Sequence, residues 1–272
     1  MIRSYLRYHR PRTRDQAARL LAEHAGDVRV LAGGTQLVPR MMRGEVNVQH
    51  LVDLGGLDLR RIHLDEDTNE IEIGAMVTYA DALESSVLDR DLPLIPRMAS
   101  GVTGGRQLTQ QATLVGSLVQ SFPASEMPAI LVALSGRVRI HGSDGVRDVA
   151  ATAFLRGAES VDLRIGEFVT SCVLPVHRDS GYCKIKHAFG SWPITTASAV
   201  LQDDGELLVT LGAVEEVPIR VRVGRDPEAL RECVAAAVTR PWSDVLASGE
   251  YRRAIAPVAA ARAARELTLK GV

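Results

Sequence analysis

The sequence predicts an α+β fold in three units, and three observations carry that expectation. An apolar run, Val28 to Leu31, breaks into two adjacent glycines, Gly33-Gly34, as a strand does when it ends in a tight loop. Apolar residues alternate on both sides of the polar cluster Asp65-Glu66-Asp67-Thr68-Asn69, which is the pattern of a β-hairpin. The C-terminal third runs strands first and alanine-rich helices after, so it reads as an α+β domain with a small antiparallel sheet and helices. The units are expected at 1–56, 57–175 and 176–272.

In chain order, Thr13-Arg14-Asp15-Gln16 caps a helix through Ala17, Leu20, Leu21 and His24, and Gly26 stops it. The strand and glycine loop follow, then a second apolar run, Val46 to Leu51, ending at Val52-Asp53-Leu54: a β-loop-β arrangement behind one helix. The boundary falls near Gly55-Gly56. The hairpin pairs Arg61–Leu64 with Glu70–Gly74, and Ala75–Thr78 leads to a helix near Tyr79–Ser85. Leu94–Ser100 reads as a helix limited by Pro93 and Pro96. Gly101–Gly116, rich in Gly, Thr and Gln and without a helical period, reads as one long working loop. Ser125–Leu134 is a helix with Pro128 in its first turn and Gly136 past its end. Strands are expected at Arg137–His141, Val146–Val149 and Glu167–Leu174, the last closed by Pro175. In the third unit Lys184–His187, Ala197–Leu201 and Leu207–Leu211 read as strands, with a hairpin turn at Asp203-Asp204-Gly205. Pro227–Val238 and Glu250–Leu267 read as amphipathic helices.

Composition excludes several classes of function. The chain has 272 residues, 46% of them hydrophobic, enough for substantial cores. A net charge of −1 with basic residues spread along the chain argues against nucleic acid or an anionic membrane surface as the main partner. No run of ~20 apolar residues could span a bilayer. Met1–Tyr5 lacks the apolar core of a signal peptide, so the cytoplasm is the expected compartment. Cys172, Cys183 and Cys233 lack the close spacing of zinc or iron–sulfur ligands, and Cys172 and Cys233 read as buried thiols. The seven histidines show no paired metal spacing either, and no metal is expected. His63, His141 and His187 read as surface or strand histidines. Redox chemistry would have to come from an organic cofactor.

The stretch Leu31-Ala32-Gly33-Gly34-Thr35-Gln36-Leu37 carries the strongest chemical signal. Adjacent glycines let a ligand approach the main chain, and successive amides in such a turn can converge on an anion; the alternative is an ordinary tight turn after a buried strand.

Four stretches together resemble a known family, the FAD-binding subunits of the molybdenum hydroxylases (xanthine dehydrogenase and carbon monoxide dehydrogenase type). Leu31–Leu37 resembles the family's first flavin loop. Gly104-Gly105-Arg106-Gln107 through Ala112-Thr113-Leu114-Val115-Gly116-Ser117-Leu118 resembles its second, usually written G-T-L-G-G-N-L. Phe122-Pro123-Ala124-Ser125-Glu126-Met127-Pro128 is similar to its D-P-A-A-D-L-P segment. Trp242 to Arg253 is similar to the signature of its C-terminal domain. The resemblance runs from about Tyr5 to Leu267. It implies the two-subdomain FAD-binding fold of the vanillyl-alcohol oxidase (PCMH) type followed by the C-terminal domain of the carbon monoxide dehydrogenase flavoprotein type.

The resemblance also implies site residues. Backbone amides of Ala32 to Leu37 would hold the FAD diphosphate, with Thr35 or Gln36 adding a donor. Thr113 would supply a hydroxyl, and Val115, Gly116 and Ser117 a close backbone wall. Glu126 would accept hydrogen bonds from ribityl or ribose hydroxyls, or serve simply as a first-turn acid favoured by the helix dipole. Thr103 and Val169 would flank the adenine. Ala75 and Thr78 match the family's I-G-A-x-x-T segment near the phosphates, with strand-end packing as the alternative. Lys184 would stand near the pyrimidine edge of the flavin, and Trp192 would cover a ring face or belong to the core. The chain departs from the family at Val115 and Ser117 (Gly and Asn), at Phe122 and Glu126 (both Asp), and at His187, where a basic residue is usual.

The implied activity is that of an FAD-dependent oxidoreductase: a flavoprotein electron-transfer subunit beside an iron–sulfur subunit and a molybdopterin subunit. Electrons would pass from the clusters through FAD to an acceptor such as NAD. A stand-alone FAD-dependent enzyme acting directly on a small molecule is the alternative, and a scaffold that has lost its flavin is a third.

Overall fold

Parallel pairing of the first three strands decides how the glycine loop is held. The computed structural model describes residues 5–188 and 190–270, with side chains through 267; the Met1–Ser4 part of the leader reading lies outside them. The first unit runs β1 (Arg7–His9), α1 (Arg14–Glu23), β2 (Val28–Leu31), α2 (Leu37–Arg43) and β3 (His50–Asp53). The strands pair in the order β1-β3-β2, all parallel, with His50 opposite both Arg7 and Val28. Parallel neighbours need a crossover, so the link from β2 to β3 is not the plain loop expected from the sequence but carries α2. Pro39 disguised that helix; it lies in the first turn, where a missing N–H leaves no bond unmade. The Thr13 cap forms as expected, its hydroxyl accepting from the Gln16 amide at 3.2 Å. The three-residue strand β1, largely exposed, left no readable pattern.

The second unit contains β4 (Ile62–Asp65), β5 (Glu70–Gly74), α3 (Tyr79–Glu84), α4 (Ser86–Asp91), α5 (Leu94–Ser100), α6 (Gly105–Thr109), α7 (Leu114–Gln120) and α8 (Glu126–Ala133). After these come β6 (Arg137–Gly142), β7 (Gly145–Ala150), α9 (Ala151–Phe154), β8 (Leu155–Gly157), β9 (Ser160–Val161) and β10 (Phe168–Pro175). An antiparallel sheet of order β4-β5-β10-β6-β7 forms its base. The expected hairpin is present, with Asn69 left-handed at the turn. Gly101–Gly116 is not the single long loop expected. It contains the one-and-a-half turns of α6, too short to show a helical period, and Thr113 caps α7 directly behind it. The helix α4 also escaped the sequence reading.

The third unit is an antiparallel sheet, β11 (Ser180–Ile185), β12 (Thr195–Leu201), β13 (Leu207–Gly212) and β14 (Ile219–Val223), followed by α10 (Pro227–Ala237) and α11 (Gly249–Lys270). β11 starts four residues before the expected Lys184 and stops at Ile185. Gly181 reads as a breaker in sequence, but a Cβ there would overlap the Ala263 carbonyl of α11, so the glycine is what lets strand and helix touch. β14 was not anticipated. Every residue of β13 and nearly every one of β12 is buried, because the sheet is covered on both faces. Ala197, Ala199, Val209 and Leu211 pack with α10 and α11, while Val200 and Leu208 join the larger core on the side of α8. α8 is buried along its whole length and so links the second and third units.

The C-terminal stretch Trp242 to Arg253 has a structural task. Arg252, fully buried, donates to the carbonyls of Ile194 and Ala213 and to Asp244, and lies 4.5 Å from the Trp242 ring centre. Cys172 is buried as expected and its thiol is pushed up to about 12 by burial. Cys233 is exposed, against expectation: it lies on the solvent side of the amphipathic α10.

Candidate functional site

The two glycine-bearing loops, some eighty positions apart in sequence, lie against each other. Between β2 and α2 the chain turns through Ala32–Gln36, with Gly34 left-handed at φ +69°. A Cβ on Gly33 would overlap the carbonyl oxygen of Gln111, so only glycine lets this loop rest on the second. That second loop is fixed in turn: Ala112 accepts from the Tyr79 amide at 3.1 Å, and the Leu114 amide donates to Val77 at 3.0 Å. Thr113 caps α7 by accepting from the Gly116 amide at 3.0 Å. A Cβ on Gly116 would sit 2.6 Å from that hydroxyl, so a larger residue here would have to displace the Thr113 side chain.

Beside the contact opens a cavity of about 510 Å³, within the range of small-molecule and cofactor sites. Of the residues expected from the sequence, Ala32, Gly33, Gly34, Thr35, Gln36, Leu37, Ala75, Thr113, Val115, Gly116, Ser117 and Val169 all line it. Leu31 does not; it packs beneath the loop with Met41, Val48 and Leu51. Thr78 is also absent from the lining. It forms a capping box with Asp81, so the strand-end alternative describes it better.

The cavity has lining residues that sequence reasoning missed. Arg29, Arg40 and Arg164 face it with a single carboxylate, Glu167. Glu167 is itself engaged by Arg147 at 2.7 and 2.8 Å, and that ion pair holds its carboxyl below the usual range. The balance of charge suits an anionic ligand. Ile165, 77% exposed, and left-handed Gly166 complete the rim; a glycine directly before an apolar strand was the available signal. Glu159, at the tip of the β8–β9 hairpin, binds Arg40 of α2 and Gln120 of α7, both at 3.2 Å. It bridges the helices that follow the two loops.

A smaller cavity of about 50 Å³ continues the first, sharing Thr35, Gln36, Ser117 and Gln120. Thr103, Phe122, Glu126 and Trp192 line it. Thr103 lies in the small cavity and Val169 in the large one. The Thr103 hydroxyl donates to the Ser191 carbonyl at 3.0 Å, tying the second-loop segment to the residue before Trp192. Trp192 meets Phe122 edge-on at 5.6 Å, and Phe122 meets Trp242 in the same way at 5.9 Å. The family's acid at position 122 is thus replaced by an aromatic that fills a three-ring cluster.

Glu126 is held from both sides. Tyr182 donates to one carboxylate oxygen, and the Lys184 ammonium donates to the other at 2.6 Å and to the Gly101 carbonyl at 2.7 Å. The ion pair is buried, with 7% and 6% of the two side chains exposed. Burial, then the neighbouring Glu126 charge, raises the Tyr182 phenol well above its ordinary range, so it remains a hydrogen-bond donor. Tyr79 is raised as well, chiefly by burial. Lys184 lines neither cavity; it orients Glu126, which does.

Among the described residues no helix is long and apolar enough to cross a membrane. Residues 3–177 match the family model described as the FAD binding domain in molybdopterin dehydrogenase. Over its length the chain is 32% identical to the carbon monoxide dehydrogenase medium chain of Afipia carboxidovorans, covering 97% of this chain and 96% of that one. It is 28% identical to the xanthine dehydrogenase FAD-binding subunit of Escherichia coli O157:H7, with 90% of each chain covered. A solved structure of reconstituted CO dehydrogenase from Oligotropha carboxidovorans superposes with a TM-score of 0.91 at 31% identity, covering 99% of both chains.

Proposed function

We propose the function of this chain from one premise: it belongs to the family of FAD-binding domains of the molybdopterin dehydrogenases. It is an FAD-binding oxidoreductase subunit of the medium-chain type. Its role is to pass electrons from iron–sulfur clusters through FAD to an acceptor, within a complex that also contains an iron–sulfur subunit and a molybdopterin subunit. The match to medium chains along nearly the whole of both partners supports this over a stand-alone enzyme. The cytoplasm is the compartment we propose, with the units dividing near 56 and 175.

The observation that carries the reading is Gly33 seated on the Gln111 carbonyl, a contact that makes one wall of two distant loops. The cradle that a Cβ would fill fits a cofactor whose charged middle is gripped by main-chain amides. FAD supplies the electron-carrying chemistry when bound. In our assignment Ala32–Leu37 and Thr113–Ser117 hold the diphosphate in the larger cavity, where Arg29, Arg40 and Arg164 offset its charge. Ala75 and Val169 close the walls of that cavity. The ring end points from the larger cavity toward the smaller one, bordered by Thr103 and Trp192. Glu126, held in place by Lys184, offers an acceptor to a hydroxyl or ring N–H at that end.

The test is to purify the full chain, measure bound FAD, and co-express it with iron–sulfur and molybdopterin subunits encoded beside it. A yellow chain that co-purifies with both and is reduced through them is the expected outcome. A colourless chain that ignores added FAD overturns the cofactor assignment; a yellow chain that turns over a small substrate alone overturns the subunit role.

A further inference from the structure

We propose that His9, His24 and His50 form a binding site for a divalent transition-metal ion of the zinc type, separate from the FAD cavity. The three residues come from three elements. His9 ends β1, His24 caps the C-terminus of α1, and His50 opens β3. Their spacing in sequence carries no metal motif, which is why it passed unread; only the parallel sheet assembles them.

One ligand nitrogen from each ring lies within 4.8 Å of the other two. The rings are stacked, with centres 3.6 Å apart for His24–His50, 5.1 Å for His9–His50 and 5.5 Å for His9–His24. His9 Nε2 and His50 Nδ1 stand 2.9 Å apart, close enough to share one proton. A Zn–N distance of about 2.0–2.1 Å sets tetrahedral donors ~3.3 Å apart, so small side-chain rotations suffice to close the set. His50 is buried and gives a fixed point, whereas His9 and His24 are partly exposed.

The donor chemistry suits the same occupant. Arg7 and Asp27 are the charged groups facing His50. The Asp27 carboxylate already accepts the Gln49 amide at 2.9 Å and is not a spare counter-ion. Neutral imidazole is the ligand that zinc and its neighbours prefer, and the solvent-facing side leaves a fourth position for water. His24 is followed by Ala25 and Gly26, which line the FAD cavity, so an ion here would staple the end of α1, and with it that wall, to the sheet.

The experiment is a ZnCl₂ titration of the untagged, flavin-loaded full chain by calorimetry, with His9→Gln, His24→Gln and Cys233→Ser variants in parallel. One equivalent should bind, and each histidine variant should lose about tenfold or more in affinity, while Cys233→Ser binds as the parent does. Co²⁺ provides a readout without mutation: an intense visible band of a four-coordinate site should appear with one equivalent and be displaced by ZnCl₂. Unchanged binding in both histidine variants, transfer of the site with Cys233→Ser, or a Co²⁺ spectrum identical to that in buffer would each overturn the proposal.

Discussion

Where the first glycine loop lies on Gln111, the wall of the larger cavity is main chain; beside the smaller cavity, where Glu126 meets Lys184 and Tyr182, it is side chain. The two ends are therefore sensitive to different changes. A main-chain wall ignores what its side chains are and fails when a Cβ intrudes. That is why Val115 and Ser117 can replace the family's Gly and Asn without disturbing the loop, whereas Gly33, with backbone in the way of any Cβ, cannot be exchanged. A side-chain wall depends on partners: Phe122 packs between Trp192 and Trp242, and a lysine and a tyrosine hold Glu126.

The largest effect should come from the side-chain end. Lys184→Met leaves the Glu126 carboxylate buried without its cation, which costs on the order of 3–5 kcal/mol. Denaturant unfolding should show that loss. Pairing it with Glu126→Leu should restore most of the stability, but not the properties of the bound flavin. If Lys184→Met alone is as stable as the parent, the pair is not the support of this end.

Gly33→Ala attacks the other end. The added methyl group has backbone, not a flexible side chain, in its way, and the expected cost is about 1–3 kcal/mol together with loss of bound flavin. Gly34→Ala is the milder companion: its Cβ would meet only Leu31 and Val38 side chains at 3.2 and 3.3 Å, and the cost is that of the left-handed backbone, about 1–2 kcal/mol. Flavin absorbance per protein, measured after gel filtration, separates the two. Equal flavin retention in both variants would remove Gly33 from its special position.

The same contrast explains what could be read beforehand. The glycine loop, the hairpin at Asn69, the helix capped by Thr13 and the helix with Pro128 in its first turn were legible because local chemistry decides them. Main-chain sites leave glycines behind, so the first loop could be read from Gly33-Gly34 itself, while the second was found through the family resemblance. The partners of Glu126 had no such local sign: nothing in the spacing of residues 126, 182 and 184 announces a buried triad, and Lys184 was legible only through resemblance. Arg40, Gln120 and Glu159 meet through three unconnected elements, two of them too short to show a period. α6 was missed for the same reason, and α2 because proline in a first turn looks like proline in a loop.

Away from both ends, Asp91 provides a control by pH. Its side chain is wholly inaccessible and bound by Arg90 and Arg178, the second reaching from the link into the third unit. Those hydrogen bonds hold its pKa down to about 2. A carboxyl depressed on folding adds stability that is complete above its unfolded value, about 3.9, and is lost as pH falls toward 2. Acid unfolding should therefore begin below pH ~4, and Asp91→Asn should flatten that limb while leaving flavin content alone. A drop in flavin content would mean that this link reaches the site.

The smallest effect is expected at Glu159, and it bears most directly on how the main-chain wall is kept. Glu159 joins Arg40 to Gln120 across the outside of the cavity, yet 44% of its side chain is exposed. Pairs of that kind contribute about 0.2–1 kcal/mol and weaken with salt. Glu159→Ala should cost no more than this, and high salt should erase the difference. Because the loops are registered by Gly33 on Gln111 rather than by this bridge, flavin retention should stay at the parent level. A Glu159→Ala protein that loses its flavin as Gly33→Ala does would show that the two following helices, held from outside, set the spacing of the loops, and that the glycine contact only follows from it.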